Sequence, residues 1–332
     1  MLPESKENIQ LDCTLILIPV FNDWEAAFLL LTRLDEALHH KRIQAEVLLI
    51  DDASSIAMAQ NEFVLPDLKS IQKVSVIELR RNFGHQRAIA LGLAYVEANT
   101  RCRAVAVMDG DGEDAPSDVP RLLEKCAEEG YSKMIFGQRS KRAENLGFRS
   151  FYVLYRWLYK LLTGHPIRVG NFSVIPYTVL RRLVAVSEVW NHFAAGALKA
   201  RVPYCEIPTR RGKRLTGRSQ MNFVSLVTHG LSAISVHGEV VGVRLLITTC
   251  LLIVFAVMAI CAAVIVRLTT TLAIPGWATY VVALSFIILI QAVILSLFFI
   301  FVILSGRNNF GFLPLRDYHH FISRVWTIPS HG

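Results

Sequence analysis

No Asp, Glu, Lys or Arg interrupts Leu245–Val266, and none interrupts Trp277–Gly306. At about 1.5 Å of rise per residue the first run reaches about 33 Å as a helix, enough to cross a bilayer core. The second is longer than a membrane requires, so tilt or a protruding end is expected. A mean hydropathy of +0.40 is too high for an ordinary soluble enzyme of 332 residues. The division expected is a cytosolic domain over 1–220, a juxtamembrane helix over 221–242, transmembrane helices over 243–267 and 277–306 joined across "TLAIPG", and a cytosolic tail over 307–332.

Basic residues are scarce on the connection between the spans, which carries only Arg267, while Arg244 flanks one side and Arg307, Arg316 and Arg324 the other. By the positive-inside rule both ends of the hairpin face the cytoplasm. The opening "MLPESKENIQ" lacks a basic n-region and an apolar core, so no cleaved signal is expected there. Cys13, Cys102, Cys126 and Cys205 lack metal-ligand spacing and Cys250 and Cys261 lie inside the first span, which fits reduced, structural thiols.

Acids are nearly missing from one stretch. Residues 131–220 hold 17 Lys/Arg and only Glu144, Glu188 and Glu206, a balance of +14, whereas residues 1–130 hold 13 Lys/Arg and 22 Asp/Glu, a balance of −9. A basic segment directly before a membrane anchor suits an anionic lipid surface or a phosphorylated substrate rather than a merely solvated face, and nothing points to nucleic acid. Within it, "FRSFYVLYRWLYKLL" sets Arg149, Arg156 and Lys160 on one helical face and Phe151, Leu154, Tyr155, Leu158 and Leu162 opposite. An interfacial amphipathic helix over 145–165 is the expectation, with a plain core helix as the alternative.

Standard cofactor fingerprints are also absent. No G-x-G-x-x-G follows the first strand, and neither G-x-x-x-x-G-K-[ST] nor G-x-S-x-G occurs. What is present is alternation: "TLILIPV", a helix from Trp24 to His40, "EVLLID", "VSVIEL", a helix from Gly84 to Glu97, "AVAVMD", a helix from Pro116 to Glu129, and "KMIFG". That order implies an α/β fold with a mostly parallel sheet flanked by helices, whose ligands bind beyond the carboxyl ends of the strands. The polar clusters "PVFND", "DDASS", "RRNFGHQR" and "DGDGED" all follow strands.

The last cluster puts Asp109, Asp111, Glu113 and Asp114 within six residues. Like charges so close raise one another's pKa and call for a cation or a donor network. An EF-hand loop from Asp109 would need Gly and Glu where Asp114 and Pro120 stand, so calcium is disfavoured. A hard divalent ion, Mg2+ or Mn2+, held against a diphosphate is the expectation.

The ordered set "IPVFND", "LLIDDASS", "NFGHQRAIALGL", "VMDGDGEDAP", "FGQRSKR" and "RGKRLTGRSQM", followed by two spans, resembles the inverting family 2 glycosyltransferases of GT-A (Rossmann-like) fold over roughly residues 12–306. It is most similar to the dolichol-phosphate mannose synthase-like branch, which moves a sugar from a nucleotide diphosphate to a polyprenyl or dolichyl phosphate. The resemblance implies that Pro19, Phe21, Asp23, Gly84, Gly110 and Arg139 line a nucleotide-sugar pocket, with Asp51 or Asp52 addressing base and ribose. Asp109 and Asp111 would be the D-x-D pair, Asp111 the direct metal ligand and Glu113 the third acidic contact, where relatives often carry Gln. Arg139 and Arg214 would hold phosphates, and Lys213, Arg218 and Ser219 would face the phosphate or acceptor, since Gln220 replaces a Lys common in relatives. It also implies an integral membrane enzyme of a prokaryotic plasma membrane and admits a homo-oligomer.

Simpler readings stand beside these. Asp23 and Asp52 could cap turns or helices, Gly84 and His85 could open a helix, and some of the arginines could meet lipid headgroups. A hydroxyl acceptor would need a general base, whereas a phosphate monoester is already ionised near pH 7. The shortage of acids over 131–220 therefore favours one-step transfer to a lipid phosphate, with any base role for Glu113 or Asp114 secondary. A processive polysaccharide synthase would want Q-x-x-R-W, where Val153 precedes "LYRW", and more spans. A non-catalytic membrane scaffold would not need the intact acidic cluster.

Overall fold

The computed structural model describes residues 13–55, 67–139, 146–166, 169–210, 212, 214–216, 223–270, 276–308 and 312–328. They divide into two units, one drawn from 1–149, 167–236 and 311–332, the other from 150–166 and 237–310.

The first unit contains β1 (Thr14–Val20), α1 (Trp24–His40), β2 (Ala45–Asp51), β3 (Ile71–Leu79), α2 (His85–Asn99), β4 (Ala104–Val107), α3 (Val119–Glu128), β5 (Met134–Arg139) and the start of α4 (Leu146–Thr163). It continues with β6 (Ser173–Pro176), α5 (Tyr177–Leu183), α6 (Phe193–Lys199), β7 (Tyr204–Thr209) and α7 (Phe223–Ser235). After the second unit's α8 (Gly238–Thr269) and α9 (Trp277–Asn308), the chain returns to it with α10 (Pro314–Asp317) and β8 (Ile322–Thr327). The strands form one sheet in the order β7-β5-β6-β4-β1-β2-β3-β8. Pairs β1–β2, β1–β4, β2–β3 and β5–β7 are parallel, while β6 runs against β4 and β5, and β8 against β3.

Strands β1, β2 and β4 are apolar at nearly every position because helices cover both faces of the sheet. Alternate residues divide accordingly. Leu15, Leu17, Leu48, Ile50, Val105 and Val107 join α2 in one core, and Ile16, Ile18, Val47, Leu49, Ala104 and Ala106 join α1 and α3 in the other. The mostly parallel α/β sheet expected from the sequence is present, with three strands that the periodicity did not reveal. β6 is four residues ending in Pro176, β7 carries Pro208, and β8 lies beyond both apolar runs.

β8 is pinned by charge. Arg324 donates to Glu78 through Nε and Nη2 at 2.7 Å each, and Trp326 Nε1 donates to the same carboxylate at 2.9 Å. The adjoining turn brings Phe321 and Phe312 against Trp190, with ring centroids 5.4 and 3.8 Å from it, and sets Phe321 5.1 Å from Phe83. Arg80 N donates to Phe321 O at 2.9 Å, so the last described segment steadies the loop that follows β3.

In the second unit, α8 and α9 are each long and apolar enough to cross a membrane. The buried positions of α8 are Gly242, Thr249, Ala256 and Ala263, spaced by heptads, a seam of small residues that lets α9 approach closely. Thr249 and Ser296 share a hydrogen bond of 2.7 Å across it, and the hydroxyl that accepts there donates to its own helix, Thr249 to Leu246 O or Ser296 to Ala292 O. Large apolar side chains such as Phe255, Ile265, Phe286 and Phe301 point outward. The helix expected over 221–242 is instead two, α7 ending at Ser235 and α8 starting after His237.

α4 also differs from its expected faces. Tyr159 is buried and Tyr155 and Leu162 half-buried, while Val153, Trp157 and Leu161 stand exposed beside exposed Arg156 and Lys160. The outward apolar stripe is thus 153/157/161, because the tyrosines fill the inner side. The side chains of Arg149, Phe151 and Leu154 lie outside the described residues. Arg244 Nη1 donates to Leu161 O at 2.5 Å, satisfying a carbonyl at the C-terminal end of α4.

Glu78 titrates below its ordinary value because Arg324 and Trp326 donate to it, against the opposing effect of burial. Its contribution is therefore present above the ordinary glutamate pKa and is lost as pH falls through the lowered one. Glu78→Ala is expected to weaken β8 docking by about 1 kcal/mol, raising hydrogen exchange of Ile322–Thr327 roughly fivefold, and acid should do the same in the native chain. Unchanged exchange in the variant would remove the ion pair from this role.

Candidate active site

Strands β4, β1, β2 and β3 are parallel neighbours, so their carboxyl-end loops meet along one edge. The loops after β1 and β2 are tied directly. Asn22 N donates to Ser54 Oγ at 2.9 Å, Ser55 N donates to Asn22 Oδ1 at 2.8 Å, and Asp51 Oδ1 accepts Ser54 N at 2.9 Å. Asp52 reaches the loop after β3, accepting Phe83 N at 2.7 Å on one oxygen and Gly84 N at 2.8 Å on the other. Both carboxyls are buried, and burial raises their pKa values against the amides that stabilise the ionised form.

The acidic turn after β4 is held from within. Asp114, fully buried, accepts Asp109 N through Oδ2 at 3.1 Å, and Asp111 Oδ1 accepts Glu113 N at 2.9 Å. Gly112 adopts φ +79°, and a Cβ there would lie 2.5 Å from Leu215 Cγ. That contact reflects a second segment laid against the turn, in which Gly212 N donates to Glu113 O at 2.8 Å and Leu215 N to Asp111 O at 2.9 Å. Arg214, carried by this segment, pairs through Nη2 with Asp23, donates from Nη1 to Asp111 Oδ2 at 3.2 Å, and from Nε to Thr216 O at 3.0 Å. Burial, with Asp109 and Glu113 nearby, raises the Asp111 pKa, while the Glu113 amide and Arg214 oppose it.

On the other flank, His85 Nε2 lies 3.0 Å from Asp109 Oδ1 and 3.0 Å from Asn171 Nδ2. Gln86 Nε2 donates to Asn171 Oδ1 at 3.1 Å, and Gln86 Oε1 accepts Phe193 N at 2.7 Å. Burial works against a charged His85, yet Asp109, Asp111 and Asp114 together raise its pKa. Two further histidines stack nearby, His192 and His229, with ring centroids 4.6 Å apart. Burial and His229 hold His192 down to about 3, and burial and His85 lower His229.

The structure therefore brings Asp23, Asp109, Asp111, Glu113 and Arg214 together, with Asp51, Asp52 and Gly84 in the adjoining loops. Gly110 packs against β1, where a Cβ would lie 2.9 Å from Pro19 O, and Phe21 stands at the rim with 39% of its surface exposed. Arg139 closes β5, but its side chain lies outside the described residues, as do Lys213, Arg218, Ser219 and Gln220. His85 does open α2, as the simpler reading had it, and also faces Asp109. Gln86, Asn171, His192 and His229 were missed. "NFGHQR" at a strand end pointed toward the first, and nothing in the spacing could have paired it with Asn171.

The donors present are carboxylates and one imidazole, suited to a hard or borderline divalent ion. Among the described residues no group of three His, Cys, Asp or Glu could hold an ion unaided.

A family model described as glycosyl transferase family 2 matches residues 15–188. The chain is 29% identical over 189 residues to the uncharacterized glycosyltransferase YkcC of Bacillus subtilis, covering 54% of each. It is 27% identical over 223 residues to the undecaprenyl-phosphate 4-deoxy-4-formamido-L-arabinose transferase of Klebsiella pneumoniae, covering 64% of this chain and 63% of that protein. The matches thus span between about half and under two thirds of these relatives. Glucosyl-3-phosphoglycerate synthase from Mycobacterium tuberculosis, solved with Mn2+, UDP-glucose and phosphoglyceric acid, is similar at a TM-score of 0.48 and 13% identity, covering 69% of this chain and 80% of that one.

Gly84 has φ 89° and ψ 153°, a region essentially reserved for glycine. Gly84→Ala should cost about 1–3 kcal/mol of stability in a chemical unfolding measurement and loosen the amides that hold Asp52. An alanine variant as stable as the parent would show that this loop is not fixed as described.

Proposed function

Because the chain belongs to glycosyl transferase family 2, we propose that it transfers a sugar from a UDP- or GDP-linked donor to a polyprenyl phosphate, with inversion, at a membrane. The observation that carries this reading is the placement of Arg214 between Asp23 and Asp111, beside the acidic turn. A guanidinium and several carboxylates at one strand-end edge suit a diphosphate that arrives with a divalent ion. The undecaprenyl phosphate in the Klebsiella relative's name supports the acceptor class.

Asp109, Asp111 and Glu113 would hold Mg2+ or Mn2+, which when bound stabilises negative charge on the departing diphosphate. Arg214 would bind the same phosphates, exchanging part of its pairing with Asp111 for them. Asp51 is the better candidate for the nucleoside, since both oxygens of Asp52 are taken by loop amides. Asp114, turned inward on Asp109 N, keeps the turn's shape. Lys213, Arg218 and Ser219 remain the proposed acceptor-side contacts, and Pro19, Phe21, Gly110 and Arg139 the proposed pocket wall.

The acceptor phosphate oxygen attacks the anomeric carbon as the bond from that carbon to the diphosphate oxygen breaks, so no proton need be removed. One acid of the basic stretch, Glu188, fits that requirement. Glu188 is bound by Lys199 Nζ at 2.6 Å, and although burial opposes it, hydrogen bonds from Lys199 hold its carboxyl below the ordinary range. It is a poor base. Insertion of α8 and α9 as a hairpin would tether the enzyme to a prokaryotic plasma membrane, with the first unit and both ends cytoplasmic.

Purified full-length protein in lipid nanodiscs, given a panel of UDP- and GDP-sugars and polyprenyl phosphate, should form a glycosylated lipid phosphate with Mn2+ and stop with EDTA. Arg214→Ala should lower kcat/KM by about 10²–10³-fold. Donor consumption only with a sugar hydroxyl, or none across the panel, would defeat the assignment.

A further inference from the structure

One amide sits in the middle of the apolar helices of the second unit. Gln291 is the only Asn or Gln in either uncharged run, with 14 uncharged residues before it in Trp277–Gly306 and 15 after. At about 1.5 Å of rise per residue it stands about 21 Å from each end of that run, against roughly 15 Å from a bilayer's midplane to the edge of its hydrocarbon. The run overhangs the core by about one turn at each end, so a helix that slides or tilts still keeps Gln291 near the midplane.

Gln291 nevertheless faces outward. On α9, Ser285, Ala292 and Ser296 are buried, Ser296 bonding Thr249 of α8, whereas Gln291 is exposed and its side chain makes no hydrogen bond among the described residues. With no water in hydrocarbon to bond it, an amide left so is costly. Leu284, Ile288, Leu295, Phe298 and Val302 are exposed too, and with Gln291 they follow one another in steps of four and three residues. That is the spacing of a seam along which helices pair, and Gln291 is its one polar position.

Depth and chemistry name the occupant of that seam. Copies of one chain insert with the same topology, so two that meet along it bring Gln291 and the partner's Gln291 to the same level. A primary amide carries two donors and an acceptor oxygen, so it is complementary to itself, and a two-fold axis along the membrane normal gives both copies the same bonds. We propose that two copies of this chain pair side by side in the membrane along the Leu284–Val302 face of α9, joined by hydrogen bonds between their Gln291 amides. This rests on the reading that α8 and α9 insert as a hairpin.

The test is fluorescence energy transfer between donor- and acceptor-labelled full-length protein in liposomes, followed as added lipid dilutes the protein. Flotation of the same liposomes in alkaline carbonate reports whether the chain is inserted. The parent should float and show transfer that fades on dilution. Gln291→Leu, a change on an exposed face, should float equally well and need about 5- to 30-fold more protein per lipid for the same transfer. Gln291→Asn, which keeps an amide at that depth, should retain most of the pairing. A parent that floats without transfer, or transfer undiminished in Gln291→Leu, would overturn the pairing and leave the membrane reading in place. A parent that carbonate strips from the liposomes would remove both.

Discussion

Mutual repulsion among the carboxylates of one short turn is the constraint around which the catalytic unit is arranged. Asp109, Asp111, Glu113 and Asp114 follow a strand buried on both faces, with Asp114 buried and the other three half-buried. Backbone amides offset part of that cost, the Glu113 N–H donating to Asp111 and the Asp109 N–H to Asp114. Arg214 offsets more, and His85 closes the other flank. Each of these comes from a different part of the chain, so the turn can be tolerated only once the sheet has placed β1, β4, α2 and the segment through Arg214 side by side.

The chain supplies that placement in two passes. Among the described residues seven strands precede the two long apolar helices, and β8 joins the sheet beside β3 after them. β3 leads into "RRNFGH", whose amides bind Asp52 and whose histidine faces Asp109. Phe312 and Phe321 pack on Trp190, and Phe321 packs on Phe83 in that same loop. Folding of the site-bearing loop is thereby linked to a segment synthesised after both candidate spans.

Much of this was legible in the residues. "TLILIPV", "EVLLID" and "AVAVMD" read as strands because residues buried on both faces leave continuous apolar runs, and α1 has the bounds its periodicity predicts. Asp23, Asp109 and Asp111, expected from strand-end placement and family resemblance, and Arg214, expected from the resemblance, lie together in the structure. β6, β7 and β8 escaped because short strands containing or adjoining proline, or lying past a membrane segment, carry little period. The faces of α4 were misjudged because tyrosines at 155 and 159 can serve a core as readily as a lipid boundary. Asn171 left no signal, since its meaning depends on a contact 86 residues away with His85.

The most direct test of the account is the affinity of UDP and GDP for the full-length protein, titrated with Mn2+ and again with EDTA. If a divalent ion joins the diphosphate to the acidic turn, one of the two nucleotides binds with Mn2+ and its binding collapses when the ion is removed. Equal affinity in EDTA would contradict that, leaving Arg214 to hold the phosphates alone and the four carboxylates without the cation their arrangement calls for.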